Sequence, residues 1–303
     1  MLWGLSFPVM KSLMLAQQNL LPGTGSWFFT SLGVMYRFGF AALLLAAVSW
    51  RELRTITRRE VEQGMVISTF GVGGILFQMD GLAYTDASIS AFLTQGYCVF
   101  IPLWVALVNR RLPTKKAFWC IALVIAGVAV LAKINFHSFK LGRGELETLA
   151  ASFMFTGQIL CLEHSRYAAN RPSSFSTVMF AGMTLLCVPL VWATAPTASA
   201  CLQAYATLPT CGFLALLIVP CTLMAYLLMN CWQKYVAATE AGLIYCIEPV
   251  CASLMALFLP AIFSAWAGIS YPNEQFTLRL VLGGGLITAA NVLLQSRWLE
   301  NRA

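Results

Sequence analysis

Two stretches of this chain repeat one another at a fixed interval. Leu82-Ala83-Tyr84-Thr85-Asp86-Ala87-Ser88 leads into an apolar segment reaching Tyr97, and Gln233-Lys234-Tyr235-Val236-Ala237-Ala238-Thr239 leads into one reaching Glu248. Tyr84 and Tyr235, Ala87 and Ala238, and Tyr97 and Glu248 all stand 151 positions apart. A constant offset between long apolar segments predicts two copies of one helical unit, which restricts the fold more than any single motif does.

Composition identifies the solvent of those units. The chain is 59% hydrophobic and 10% charged, whereas soluble domains carry about 25% charged residues, so lipid rather than water surrounds most of it. Unpaired backbone groups in hydrocarbon cost several kcal/mol each, which requires helices or a closed barrel, and the alternation of a barrel strand is absent. Ten apolar stretches remain, near residues 1–17, 27–50, 63–83, 87–108, 115–134, 146–164, 174–194, 210–231, 240–263 and 277–296. Their length suits a bilayer core, which about 20 helical residues cross. The expected fold class is therefore an all-α polytopic membrane protein with ten transmembrane helices. The first stretch is short and begins abruptly, which raises the expectation that part of its helix lies upstream of Met1. No cleavable signal peptide is expected, because no basic n-region precedes the apolar residues.

Basic residues set the orientation. With the N-terminus in the cytoplasm, thirteen Lys and Arg side chains fall in inside loops, including Arg51, Arg54, Arg58, Arg59, Arg110 and Arg111. Only Lys133, Lys140, Arg143 and Arg279 fall outside, while Lys11 and Arg37 lie within spans. The bias favours both termini inside. Dispersed over one membrane face, the net charge of +7 gives no reason to expect nucleic acid as a partner. Five helices per copy is an odd number, so the second copy enters from the opposite side, and the copies form two inverted five-helix repeats. Loop charges agree, since residues 51–59 hold four arginines and the counterpart near 195–209 holds no Lys or Arg. The repeat slips late, where Leu112-Pro113-Thr114 matches Gln275-Phe276-Thr277, leaving an extended segment over 260–274 in the second copy.

Several motifs resemble a known family. Trp3-Gly4-Leu5-Ser6-Phe7-Pro8-Val9-Met10-Lys11 resembles the first-helix motif of EamA-type transporters of the drug/metabolite transporter superfamily. Arg37-Phe38, Tyr84-Thr85-Asp86-Ala87, Glu248-Pro249-Val250 and Glu274-Gln275-Phe276-Thr277 are similar to further family motifs, in the same order along the chain. The resemblance implies two EamA-like repeats, residues 1–134 and 146–303, with a substrate cavity between them. The chain departs from the pattern at Arg110-Arg111-Leu112, where the family often has an acidic residue, and at Tyr97-Cys98, where it often has Thr-Pro.

Ionisable side chains in mid-membrane cost about 2.5–3.5 kcal/mol on insertion scales, so each needs a reason. Glu248 stands about nine residues into its span, beside Pro249, whose missing N–H leaves a carbonyl one turn earlier unpaired. It is read either as a substrate-amine partner or proton-coupling site, or as a fixed ion pair with Arg37 or Lys11. Those two bases could bind a carboxylate or phosphate, or serve only to neutralise Glu248. Thr94 and Tyr97 share a helix face, as do their repeat mates Tyr245 and Glu248. Gln95 and Gln158 add amides and Trp3 an aromatic wall, although such groups in bundles often only bond neighbouring helices. Asp80 is expected as a solvated helix-end charge and Glu163-His164 as a solvated interfacial pair. The runs Gly71-x-Gly73-Gly74 and Gly283-Gly284-Gly285 are expected to be helix-packing surfaces.

No catalytic residue, metal or cofactor is expected. The ten cysteines form no Cys-x-x-Cys pair, and two histidines cannot complete a zinc site. The expected function is a secondary transporter of small organic metabolites by alternating access. Its expected site comprises Glu248, Tyr245, Tyr97, Thr94, Gln95, Lys11, Arg37, Trp3 and Gln158, with a proton or another ion for coupling. Outward transport of amino-acid-like or drug-like molecules, across a bacterial plasma membrane, is what the family resemblance implies. A basic pair facing one acid suits a zwitterion but also suits phosphorylated metabolites or nucleotide sugars. A polytopic enzyme acting on lipids is the remote alternative, and it lacks the clustered acid–base groups such chemistry needs.

Overall fold

A computed structural model of the protein describes residues 1–108, 110, 115–131, 141–232, 245 and 247–295. The second copy of the repeated motif, residues 233–239, lies outside these, as do Arg111, Lys133 and Lys140. Among the described residues every regular element is a helix. In chain order these are α1 (Leu2–Leu20), α2 (Ser26–Val48), α3 (Trp50–Leu53), α4 (Arg58–Gly81), α5 (Ala87–Thr94), α6 (Tyr97–Val108), α7 (Lys115–Leu131) and α8 (Arg143–Leu162). They continue as α9 (Pro172–Thr194), α10 (Ala200–Gln203), α11 (Leu208–Ile218), α12 (Ala225–Trp232), α13 (Ile247–Ala256), α14 (Leu259–Ala267) and α15 (Leu278–Gln295). A π-helical segment, Val219–Met224, joins α11 to α12.

Ser26–Val48, Ala87–Val108, Pro172–Thr194 and Leu208–Trp232 are each long and apolar enough to cross a bilayer, and α13 with α14, bent by 51°, makes a fifth such unit. Large apolar side chains cover the outside of the bundle: Trp192 is 86% exposed, and Leu43, Leu107 and Trp119 also face outward. Water would penalise such a surface and lipid does not. The chain is an integral multi-pass membrane protein.

Local sequence sets the helix ends. Thr57 opens α4 with a capping box: its hydroxyl accepts the Glu60 N–H, and the Glu60 carboxylate accepts the Thr57 N–H. Pro172 opens α9, where its missing N–H needs no partner. Gly268, at φ 64°, closes α14 in the left-handed region that glycine tolerates best, and chain without regular structure follows to Thr277. The extra residues of the second copy therefore form the short helix α14 and this irregular segment.

The contacts between helices follow an exchange pattern. Helix α4 packs on α8 and α9, while α11 with the π segment packs on α1 and α2. Helix α1 packs on α13, while α8 packs on α5 and α6. Helices α2 and α9 pack on one another, as do α7 and α15. Exchanging α1 with α8, α2 with α9, α4 with α11, α5 with α13 and α7 with α15 maps these contacts onto one another. Glycines bring two of these pairs very close: a Cβ on Gly127 would sit 2.7 Å from the Gly283 carbonyl oxygen, and one on Gly81 would sit 2.9 Å from that of Gly144.

Candidate functional site

A cavity of about 80 Å³ lies between two sets of helices, α1–α7 and α8–α15. Seven of its lining residues, Trp3, Ser6, Arg37, Ile75, Gln78, Thr94 and Tyr97, come from the first set. The other seven, Phe155, Gln158, Ile159, Tyr226, Met229, Tyr245 and Glu248, come from the second. The lining obeys the sequence repeat. Ile75 and Tyr226, Gln78 and Met229, Thr94 and Tyr245, and Tyr97 and Glu248 are four pairs at the interval of 151, and all eight residues face the cavity. Trp3 with Phe155 and Ser6 with Gln158 stand 152 apart.

Backbone breaks bring these groups together. The chain turns at Gln95 and Gly96, between α5 and α6, where a Cβ on Gly96 would meet the Ser152 hydroxyl of α8 at 2.8 Å. The break sets Thr94 and Tyr97 on the cavity wall and turns Gln95 behind it. Gln95 accepts the Tyr97 hydroxyl at 3.0 Å and donates to the Tyr245 carbonyl at 3.4 Å. That carbonyl is the one Pro249 deprives of its helical donor. Thr94 donates to the Ser90 carbonyl and accepts from the Gln78 amide at 3.1 Å. Gly4 lets α1 approach α13, since a Cβ there would lie 3.1 Å from the Glu248 carbonyl oxygen, and this approach seats Trp3 beside the site. The Trp3 ring lies 5.4 Å from the Tyr226 ring and 6.0 Å from the Tyr245 ring.

The two bases and Glu248 do not form the expected cluster. Arg37 lines the cavity but is 1% exposed, and its donors point into the π segment. Its Nε donates to the Thr222 hydroxyl at 2.6 Å, its Nη2 to the Cys221 carbonyl at 3.1 Å and its Nη1 to the Met10 sulfur at 3.4 Å. The irregular helix around Pro220 offers acceptors that a regular turn would keep for itself. Lys11 lies away from the cavity, about two turns further along α1 than Trp3 and more than one turn beyond Ser6. It lines a second, larger opening of about 790 Å³, donates to the Thr85 carbonyl at 2.6 Å and stands 3.9 Å from Asp86. None of the ion pairs among the described residues involves Glu248.

Ionic groups tie the two helix sets together at both ends of α4. At its C-terminal end Arg143 pairs with Asp80, which is fully buried rather than solvated as its position suggested. Beside them Glu274 accepts the backbone N–H of Ala87 at 2.7 Å and the hydroxyl of Ser88, so a distant loop caps α5. Burial pushes the Glu274 carboxyl above the usual carboxylate range. At the N-terminal end Arg171 binds both oxygens of Glu60, at 2.7 and 2.9 Å. This guanidinium draws the Glu60 carboxyl from its ordinary 4.5 down to about 2. Arg166 pairs with Glu62 nearby, and Glu163 and His164 are exposed, as an interfacial pair should be.

Seven of the nine expected site residues thus line one cavity, Gln95 braces its wall from behind, and Lys11 lies elsewhere. Sequence reasoning missed Ile75, Gln78, Tyr226 and Met229, although the 151-residue interval that related span four to span nine relates these four on spans three and eight equally well. Among the described residues, no group of three or more His, Cys, Asp or Glu side chains is placed to hold a metal ion.

Residues 1–133 match the model of the EamA-like transporter family. An uncharacterized transporter of Archaeoglobus fulgidus is 24% identical over 294 residues, covering 96% of this chain and 83% of its own length. A protein of known crystal structure shares the fold with a TM-score of 0.51 and 14% identity, over 96% of this chain and 94% of that one. The first 133 residues are thus similar to the EamA-like transporter family, and the relative aligned over 96% of the chain is a transporter.

Proposed function

We propose that this secondary transporter carries small organic metabolites of amino-acid size outward by alternating access, through the cavity that holds Glu248, Tyr245, Tyr97, Thr94 and Trp3. The observation that carries the reading is the pairing of lining residues at one interval: two copies of a unit contribute the same positions to one central cavity. In inverted repeats the substrate site lies at such an interface, near the bilayer midplane. Ten crossings, inverted halves covering residues 1–134 and 146–303, and both termini in the cytoplasm belong to the same proposal. The exchange pattern of helix contacts supports the duplication, and the distribution of basic loops supports the orientation.

The cavity's size fits an occluded state. At about 80 Å³ it is smaller than pockets occupied by drug-sized ligands, which measure about 300–1,000 Å³. Ion pairs between the helix sets at both ends of α4 suit gates that open in turn. A rocking motion that breaks the Arg143–Asp80 and Glu274–Ala87 contacts would open one side, and loss of the Arg171–Glu60 contact the other. No nucleotide-binding motif accompanies them, and a proton or another ion would supply coupling. A phosphorylated substrate is less well served, because Lys11 lies in the outer opening and Arg37 already has acceptors.

Counterflow in proteoliposomes tests the reading, with a panel of amino acids, amines and phosphorylated metabolites measured with and without a pH gradient. Exchange should be lost in Glu248→Gln and reduced at least ten-fold in Tyr97→Ala at unchanged protein yield. Exchange equal to wild type in both variants removes the cavity from the transport path.

A further inference from the structure

The cavity offers hydrogen-bond acceptors that the protein leaves unused. The Glu248 carboxylate makes no hydrogen bond or ion pair with any described residue. Gln158, 6% exposed, has its Oε1 buried without a donor. Arg37 is the one cationic side chain among the described lining residues, and its Nε, Nη1 and Nη2 are all turned to Thr222, Met10 and Cys221. The rings of Trp3, Tyr97, Tyr226 and Tyr245 stand around these two acceptors.

A carboxylate facing a cavity inside the bundle favours a cationic partner, and a buried amide oxygen needs a donor. Aromatic faces attract cations, with Trp the strongest. All three features demand one ligand chemistry. Resting on the reading of this cavity as the substrate site, we propose that its substrate is a small primary ammonium without a carboxylate, an alkylamine in its charged form. Its N–H donors satisfy Glu248 and Gln158, its charge lies against the rings of Trp3 and Tyr245, and its alkyl chain meets Ile75 and Phe155. A zwitterionic amino acid would bring a carboxylate that needs donors Arg37 has committed elsewhere. An organic anion would lie beside Glu248, whose charge repels it. The small volume of the cavity, about 80 Å³, favours a few-carbon amine over a bulky one.

The test uses the full chain in proteoliposomes and in detergent, with ethylammonium, alanine and propionate as probes of similar size and different charge. Ethylammonium should bind saturably and drive counterflow, while alanine and propionate should do neither. Binding of ethylammonium should fall at least ten-fold in Glu248→Gln and several-fold in Gln158→Leu. It should persist within about five-fold in Glu248→Asp, which keeps the charge and serves if the glutamine variant fails to fold. Counterflow of alanine or propionate that Glu248→Gln abolishes would overturn the ammonium class while leaving the cavity as the transport site. Counterflow of any probe unaffected by Glu248→Gln and Tyr97→Ala would overturn both. An absence of ethylammonium binding to the wild-type protein overturns the proposal directly.

Discussion

Gln95 donates its side-chain amide to the carbonyl oxygen of Tyr245 at 3.4 Å, filling the place of the N–H that Pro249 lacks. The bond joins the break between α5 and α6 to the start of α13, so it links the two helix sets at the edge of the cavity. A buried acceptor deprived of its donor costs about 1–3 kcal/mol. Gln95→Leu should therefore destabilise the protein by about that amount in detergent unfolding. Pro249→Ala restores a backbone donor to the same carbonyl. In that background Gln95→Leu should cost appreciably less, a coupling that a double-mutant cycle measures. Strict additivity would mean that the two donors do not serve one acceptor.

Glu274 performs the same bridging at the start of α5. Asp86 stands at the N-cap of α5 without a side-chain capping bond, and Glu274 from the segment after α14 binds the N–H of Ala87 instead. Loss of a helix cap costs about 0.5–2 kcal/mol. Glu274→Ala should lower stability within that range and speed amide exchange in residues 87–90, while Glu274→Gln, which keeps an acceptor, should do so less. Exchange unchanged in the alanine variant would show that α5 holds its first turn without this contact.

The pairing of Glu60 with Arg171 gives a pH signature. Its carboxyl titrates near 4.5 when unfolded and at about 2 when folded, chiefly through hydrogen bonds from Arg171. An acid whose folded value is depressed stabilises the fold above its unfolded value and loses that stabilisation as pH falls towards the folded one. The stability difference between wild type and Glu60→Gln should thus be constant above about pH 5 and shrink between roughly pH 4.5 and 2. A difference that stays flat through that window would show that the pair is not formed in solution.

How much of this was legible in sequence depends on the kind of signal. Apolar runs and the 151-residue interval located the helices and four of the cavity positions, because periodic burial and duplication leave marks on single residues. Pro249 announced an orphaned carbonyl, and Gln95 stood at the repeat mate of Cys246, but nothing local showed that one would meet the other. The partners of the charged residues were not legible. Lys11 and Arg37 both lie in apolar stretches, and nothing local tells which of them faces Glu248. What separates them is an eight-residue advance along α1 for Lys11, and for Arg37 a π-helical segment around Pro220 that presents acceptors. Asp80 was misjudged for a related reason: its burial depends on Arg143, 63 positions away, and pair contacts at that distance leave no local pattern.

Glycine spacing offers a last prediction, because three glycines in one region have different surroundings. A Cβ on Gly127 would lie 2.7 Å from the Gly283 carbonyl oxygen, and one on Gly283 would lie 2.9 Å from that of Gly127. Neither backbone can yield without separating α7 from α15. Overpacking of this kind costs about 1–3 kcal/mol, so Gly127→Ala and Gly283→Ala should each destabilise by that amount. A Cβ on Gly285 meets nothing within 4 Å, and its helical backbone gains from a residue other than glycine by about 0.5–1 kcal/mol. Gly285→Ala should therefore be neutral or stabilising in the same unfolding assay. Equal effects at Gly283 and Gly285 would mean that α7 and α15 do not cross with backbones in contact, and that the pairing which completes the exchange pattern of the bundle is looser than described.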